Sequence, residues 1–113
     1  MKLVLKFGGT SLASVKDIQN VTNIVSELSN ENEIVIVCSA VDGITDDLIH
    51  ISEQIKKVNK KEANRVLAKI SQKHKQFTTH IVTDSKIQKT LLDKMKSDHS
   101  ELEELVHGLL LLG

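Results

Sequence analysis

The chain has 113 residues, of which 40% are hydrophobic and 27% charged, and its formal net charge is zero. These values fit one small globular domain. Because the charge is balanced and Arg65 is the only arginine, the sequence excludes a strong electrostatic attraction to nucleic acid or to an acidic membrane surface. We therefore expect neither as a partner, and no segment reads as a membrane span.

Cysteine and aromatic residues are scarce. Cys38 is the single cysteine, which excludes an intrachain disulfide and fits a reducing cytoplasm. Its apolar neighbours predict a buried, unreactive thiol. Phe7 and Phe77 are the only aromatic residues, so the core should be aliphatic.

The first part of the chain has the pattern of a βαβ unit. The apolar run from Leu3 to Lys6 predicts a parallel strand buried on both faces. Apolar residues spaced every three or four positions then predict a helix up to Leu28, with Ser14 as N-cap and Asp17 in a variant of the capping box. After a polar break, Ile34–Cys38 predicts a second strand parallel to the first.

A glycine pair follows the first strand, in the sequence Lys6-Phe7-Gly8-Gly9-Thr10-Ser11. Glycines allow close approach of the backbone, and a lysine beside a helix N-terminus suits an anion such as a phosphoryl group. Lys6 would stabilise the transferring group. The alternatives are a surface lysine and a simple strand-to-helix turn, and Thr10 and Ser11 fit ligand binding or helix initiation equally well.

A second loop follows the second strand and contains Ser39, Gly43 and Thr45. Hydroxyl groups and helix N-terminal amides could bind a carboxylate there, although Thr45 could instead cap the helix, or do both. In open α/β sheets ligands bind at the carboxyl edge, where both loops lie. Asp42 fits a turn better than a Mg²⁺ site. Asp46 and Asp47 fit the acidic first turn of a helix, and the histidines lack metal-ligand spacing, so we predict no metal site.

The remainder is predicted to be helical. A helix through Leu48 and Ile55 leads into a solvated lysine-rich loop at 56–61, and a second helix covers about 62–82. After a break with a new N-cap at 83–85, a long helix continues to the end, with a possible interruption near Ser97-Asp98. We divide the chain into a βαβα part (1–60) and an antiparallel helical hairpin (61–113).

The apolar end, Leu109–Gly113, should be covered by further structure. A two-stranded sheet is also too small to be stable without additional strands or packing. We therefore expect residues 1–113 to be the opening part of a larger, incomplete α/β domain.

The hexapeptide beginning at Lys6 resembles the signature that opens aspartate kinases, at all six positions. Ser39-Ala40, Gly43 and Thr45-Asp46 resemble the second signature of that family, and Leu105-Val106-His107-Gly108-Leu109 with Leu112 resembles the end of its helical segment. The resemblance implies the amino-acid-kinase fold, with three layers around a mainly parallel sheet. It also implies transfer of the ATP γ-phosphate to the side-chain carboxylate of L-aspartate, which begins lysine, threonine and methionine synthesis.

By this resemblance, Lys6 contacts the transferring phosphoryl group, Gly8, Gly9 and Thr10 lie at the ATP phosphates, and Ser39 and Thr45 lie in the aspartate pocket. ATP and Mg²⁺ would serve the full-length enzyme, which we expect to be a homo-oligomer. The remaining pocket residues and the nucleotide half lie outside this chain, so we expect it to be inactive alone. The alternatives are a non-catalytic fragment or split subunit that needs a partner, and an amino-acid kinase with another acceptor.

Overall fold

The computed structural model describes all 113 residues and has an α/β architecture, as predicted. The elements in chain order are β1 (Lys2–Phe7), a 3₁₀-helix (Gly9–Leu12), α1 (Val15–Ser29), β2 (Glu33–Cys38), α2 (Ile44–Lys56), α3 (Lys60–Ile81) and α4 (Ser85–Leu112). The chain divides into two compact units, Met1–Thr45 and Asp46–Gly113. The sequence-based division at residue 60 stays a prediction.

The first unit contains the predicted parallel βαβ arrangement. β1 pairs with β2 in parallel from Lys2 opposite Glu33 to Phe7 opposite Cys38. Both strands begin one residue earlier than predicted, and β1 also ends one residue later, because backbone hydrogen bonds continue the ladder. The Glu33 amide donates to the Met1 carbonyl at 3.0 Å, and the Ser39 amide donates to the Phe7 carbonyl at 3.1 Å. The hydrogen-bonded ladder therefore extends to the point where the loops after β1 and β2 begin.

The N-cap of α1 lies where the sequence predicts it. Ser14 Oγ accepts a hydrogen bond from the Asp17 amide at 3.1 Å and donates one to the Asp17 carboxylate at 2.8 Å. The first bond satisfies an amide that lacks an intrahelical partner, the second orients the capping hydroxyl, and the Asp17 carboxylate suits the positive end of the helix dipole. The start of α1 is thus fixed at Val15.

The predicted burial of β1 on both faces is wrong. Leu3, Leu5 and Phe7 are half-buried, whereas the alternating residue Val4 is 67% exposed. Most of β2 is also exposed, including Cys38, so the prediction of a buried thiol is wrong as well. Because successive side chains of a strand point to opposite faces of the sheet, the pattern in β1 means that one face is partly covered and the other is open.

The second unit contains an antiparallel hairpin of α3 and α4, as predicted. Residues near the end of α3 contact the beginning of α4, since Gln88 Nε2 donates to the Thr79 carbonyl at 3.2 Å. At the far end of the hairpin, His107 Nε2 lies 2.8 Å from Asn64 Oδ1. Asp84 caps α4 by accepting from the two amides that follow Ser85, both at 3.0 Å.

Two predicted helix boundaries in this unit are wrong. α4 continues through Ser97 and Asp98 without interruption, and Asp98 pairs with Lys94 one turn earlier at 3.6 Å. α3 begins at Lys60, inside the predicted loop, because Asn59 Oδ1 accepts from the Glu62 amide at 3.2 Å and caps the helix there.

α2 ends in a Schellman motif. The Val58 amide donates to the Ile55 carbonyl at 3.0 Å, and the Asn59 amide donates to the Gln54 carbonyl at 2.9 Å. Val58 has a φ of 54°, in the left-handed region that glycine usually occupies at this position. A β-branched side chain is strained there.

The core of the second unit is aliphatic, as predicted. Its buried apolar residues are Ile51, Ala63, Val66, Leu67, Ile70, Val106 and Leu110. α2 is tied to α3 by Asp47, whose carboxylate lies 3.2 Å from Lys69 Nζ, and by His50, whose Nε2 lies 3.1 Å from Glu62. Hydrogen bonds from Arg65 and then His50 lower the pKa of Glu62 to about 2. No helix has both the length and the apolar character needed to cross a membrane.

Candidate functional site

The glycine pair forms the strand-to-helix turn at the end of β1. Gly8 has φ −84° and ψ −177°, which continues the extended backbone of the strand. Its carbonyl accepts from the Ser11 amide at 3.1 Å, and Gly9 begins the 3₁₀-helix. The turn therefore leaves the sheet at its carboxyl edge, where ligands bind in open α/β sheets.

Gly8 lies beside open space. A Cβ atom added there would meet no atom within 4 Å, and its dihedral angles are open to any L-residue. Neither the backbone conformation nor a neighbouring atom therefore requires glycine at this position. Glycine does leave the backbone accessible for close approach by a ligand.

The two predicted loops meet at Gly9. A Cβ atom on Gly9 would lie 3.4 Å from Asp42 Oδ1 and 3.9 Å from Ser39 Oγ. The Asp42 amide also donates to the Leu12 carbonyl, with the donor and acceptor atoms 3.4 Å apart. The loop after β2 is thus packed against the turn after β1.

Lys6 lies at the end of β1, opposite Val37 of β2. It is exposed and, by the alternation of the strand, shares a face with Lys2 and Val4. No ion pair or hydrogen bond involves its ammonium group. The charge is therefore available to an anion beside the glycine turn.

The hydroxyl residues of the two loops differ in their bonding. Ser39 Oγ donates to the Ala40 carbonyl at 2.7 Å. Thr10 is exposed in the 3₁₀-helix, and no side chain caps that helix. Thr45 is exposed within the first turn of α2, which begins at Ile44, so the interpretation of Thr45 as the N-cap is wrong. Gly43 makes the preceding turn, with a φ of 86° that favours glycine.

Asp42 lies in the candidate site, although the sequence predicts it only as a turn residue. Its pattern favours a turn residue, yet its carboxylate lies against Gly9. Its position between Ser39 and Thr45 could have indicated that it belongs to the site. Its proximity to the turn after β1, however, depends on the path of the 3₁₀-helix. Asp47 pairs with Lys69, which supports its structural interpretation.

Comparison with known proteins agrees with this geometry. The sequence profile described as the amino acid kinase family matches residues 1–106. The chain belongs to the amino acid kinase family. The family assignment covers both loops, both strands and most of the helical hairpin, and it confirms the predicted fold class.

Several aspartokinases are similar to this amino acid kinase chain. The aspartokinase of Geobacillus stearothermophilus is 43% identical over 54 residues, which are 47% of this chain and 13% of that protein. That of Bacillus sp. strain MGA3 is 46% identical over 54 residues, with the same shares. The bifunctional aspartokinase/homoserine dehydrogenase of Buchnera aphidicola is 33% identical over 117 aligned positions, which cover 99% of this chain and 14% of that protein.

These relatives confirm the resemblance that the hexapeptide and the second loop predict. The chain spans only 13–14% of the length of these three relatives. The comparisons therefore establish the family, whereas the activity and the acceptor are matters for proposal.

Proposed function

We propose that this chain supplies the phosphoryl-binding and acceptor-binding loops of an aspartate kinase. The reaction would transfer the ATP γ-phosphate to the side-chain carboxylate of L-aspartate and give 4-phospho-L-aspartate, the first step toward lysine, threonine and methionine. The family assignment and the aspartokinase relatives support this proposal. The chain corresponds to a small part of those relatives, and we expect the complete reaction to need more than these residues, so that the chain alone would be inactive.

The observation that carries the proposal is the open space at Gly8, next to the end of the strand that holds Lys6. Phosphoryl transfer is catalysed mainly by positioning and by neutralising charge on the transferring group. Backbone amides of the glycine turn and the Lys6 ammonium would together supply positive charge to a phosphoryl group bound there. Such charge lowers the barrier when it acts on charge that develops in the transition state.

ATP and Mg²⁺ would provide the phosphoryl donor and additional neutralisation of the phosphates. In this chain Lys6, Gly8, Gly9 and Thr10 would bind the phosphates. Ser39 and Thr45 would lie against the acceptor, since the loop after β2 reaches Gly9. We also propose a homo-oligomeric full-length protein and a cytoplasmic location, the latter from the single, reduced cysteine.

The proposal is tested by isothermal titration of the chain with L-aspartate and, separately, with Mg-ATP. Lys6→Ala should weaken Mg-ATP binding about tenfold or more, because a charge-assisted hydrogen bond contributes about 1.5–3 kcal/mol. Lys2→Ala is the matched control, since both lysines lie exposed on one face of β1. Thr45→Ala should weaken L-aspartate binding. Equal effects of Lys6→Ala and Lys2→Ala would contradict the assigned role of Lys6.

A second candidate function is a non-catalytic module or split subunit that completes its site only with a partner. It is favoured by exposed apolar side chains, with Val4 at 67%, Leu111 at 89% and Leu112 at 87% exposure. In that case the chain would self-associate in sedimentation experiments and would bind neither ligand alone. An amino acid kinase with a different acceptor would instead bind Mg-ATP but not L-aspartate.

A further inference from the structure

Two histidines face each other across the α3–α4 hairpin. His74 on α3 and His99 on α4 are both half-buried, and their ring centroids lie 5.6 Å apart with an angle of 53° between the ring planes. A zinc ion bound at about 2.0–2.1 Å to one nitrogen of each ring, in tetrahedral geometry, would hold the two centroids about 5–5.5 Å apart. The two rings therefore already lie close to the separation that a shared metal ion requires.

The hydrogen bonding of both rings leaves a nitrogen free for a metal ion. His74 Nδ1 lies 2.9 Å from the Ile70 carbonyl oxygen. Since a carbonyl can only accept, Nδ1 carries the proton, and Nε2 keeps its lone pair when the ring is neutral. Metal-binding histidines are commonly oriented by such a bond from the other ring nitrogen. No hydrogen bond within the chain involves the ring of His99, and its nitrogens reach solvent, because every fully buried side-chain nitrogen has a partner.

The surroundings of His99 suit a cation with bound water. A groove of about 440 Å³ between α3 and α4 is lined by His99 and Glu103, which lie four residues apart on one face of α4. Asp98 and Glu103 both place negative charge near the His99 ring. Lys75 and Lys96 also line the groove, but both are exposed, so their ammonium groups can remain in solvent.

We infer that His74 and His99 together bind one divalent transition-metal ion, such as Zn²⁺, across the hairpin. No group of three or more His, Cys, Asp or Glu side chains is placed to hold a metal ion. The site therefore has two protein ligands, and water in the groove completes the coordination. Imidazole nitrogens suit Zn²⁺, Ni²⁺ and Cu²⁺, whereas Mg²⁺ prefers oxygen ligands. The inference does not depend on the proposed function.

A bound ion would join the two helices of the hairpin, because it takes one ligand from α3 and one from α4. A ligand that binds the folded chain preferentially stabilises it by mass action. Zn²⁺ should therefore raise the urea concentration at the midpoint of unfolding, over the concentration range in which it binds. The sequence shows no short metal-binding spacing for this pair, since its members belong to different helices.

Isothermal titration of the chain, without a histidine tag, measures the Zn²⁺ affinity directly. His74→Asn and His99→Asn should each weaken binding about tenfold or more, since removing a ligand should cost at least as much as removing a partner that orients one. His80→Asn is the matched control, because His80 also lies on α3 with its Nδ1 2.7 Å from a backbone carbonyl, that of Gln76, and contacts no second imidazole ring. Cys38→Ser should also leave the affinity unchanged, although the thiol is exposed.

NMR of the unsubstituted chain makes the test independent of how the variants fold. Zn²⁺ should shift the ring signals of His74 and His99 together and leave those of His80 in place, and Mg²⁺ should shift none of them. A rise in the unfolding midpoint with Zn²⁺ that is lost in both His74→Asn and His99→Asn supports the site. An equal loss of affinity in His80→Asn, a loss confined to Cys38→Ser, or unchanged His74 and His99 ring signals at millimolar Zn²⁺ would overturn it.

Discussion

Replacing Gly8 by alanine separates folding from ligand binding. The added Cβ atom meets nothing within 4 Å, and the Gly8 dihedral angles of −84° and −177° suit alanine. Alanine also loses less conformational entropy on folding than glycine does. The free energy of unfolding should therefore stay constant or rise by up to about 1 kcal/mol.

The same methyl group occupies the space that we assign to a phosphoryl oxygen. An oxygen bound to a backbone amide lies about 2.9 Å from the nitrogen, which a neighbouring methyl group obstructs. Loss of one charge-assisted hydrogen bond costs about 1.5–3 kcal/mol, which corresponds to a fall in Mg-ATP affinity of about 10- to 150-fold.

The assay combines urea unfolding with isothermal titration of Mg-ATP. Gly108→Ala is the matched control, because Gly108 lies within α4 and a Cβ atom there also meets nothing within 4 Å. It should raise stability by about 0.5–1 kcal/mol without changing affinity. A Gly8→Ala chain that binds Mg-ATP as tightly as the unsubstituted chain would refute the assignment of this space to a phosphoryl group.

Three further predictions concern the helical unit. First, the free energy of unfolding should fall as the pH drops below 6.5. Burial, and then the nearby charge of His74, lower the pKa of His99, so the folded chain binds fewer protons than the unfolded chain there. Urea unfolding of His99→Asn should therefore depend less on pH. Val66→Ala should cost about 2 kcal/mol in the same assay, since Val66 is 1% exposed and loses two methyl groups. Val58→Gly should raise the unfolding free energy by about 1 kcal/mol, by relieving its left-handed strain.

Each of these three predictions has a result that contradicts it. His80→Asn is the control for the first, since His80 is exposed, and an equal effect of both substitutions would remove the role of His99. The His74 and His99 ring centroids lie 5.6 Å apart, which is why we expect the two sites to interact. If Val66→Ala lowers the free energy of unfolding by less than about 0.5 kcal/mol, Val66 does not contribute to the core as described. If Val58→Gly lowers the free energy of unfolding, the valine side chain stabilises the fold by more than its backbone strain costs.

Local patterns predicted the elements of this fold, because local forces determine them. The apolar run of β1, the apolar spacing in α1 and the Ser14 cap each depend on residues within a few positions of one another. Burial was harder to predict, since the exposure of Cys38 depends on what packs against the faces of the sheet, which the sequence of β2 does not encode. The contact of Asp42 with Gly9 was not predictable for a similar reason, as it depends on the three-dimensional path of two loops.

The hexapeptide predicts Lys6, Gly8 and Gly9 as candidate phosphoryl-binding residues, because such binding requires a particular order of residue types along one turn. Thr45 shows the limit of that reasoning. Its sequence position suits both an N-cap and a ligand-binding residue, and only the start of α2 at Ile44 excludes the first. The direction of the Ser39 hydroxyl, which determines what it can bind, also depends on the local backbone and not on the motif.

The central claim is that the phosphoryl donor and the amino-acid acceptor bind at one edge of the two-stranded sheet. An amide-resolved NMR titration of the chain tests it most directly, because it locates even weak binding. We predict that Mg-ATP shifts the amide signals of Gly8 and Gly9 and that L-aspartate shifts those of Gly9, Ser39 and Thr45, with Gly108 unaffected. Shifts confined to the α3–α4 hairpin, or no shift in either loop at saturating ligand, would contradict the claim.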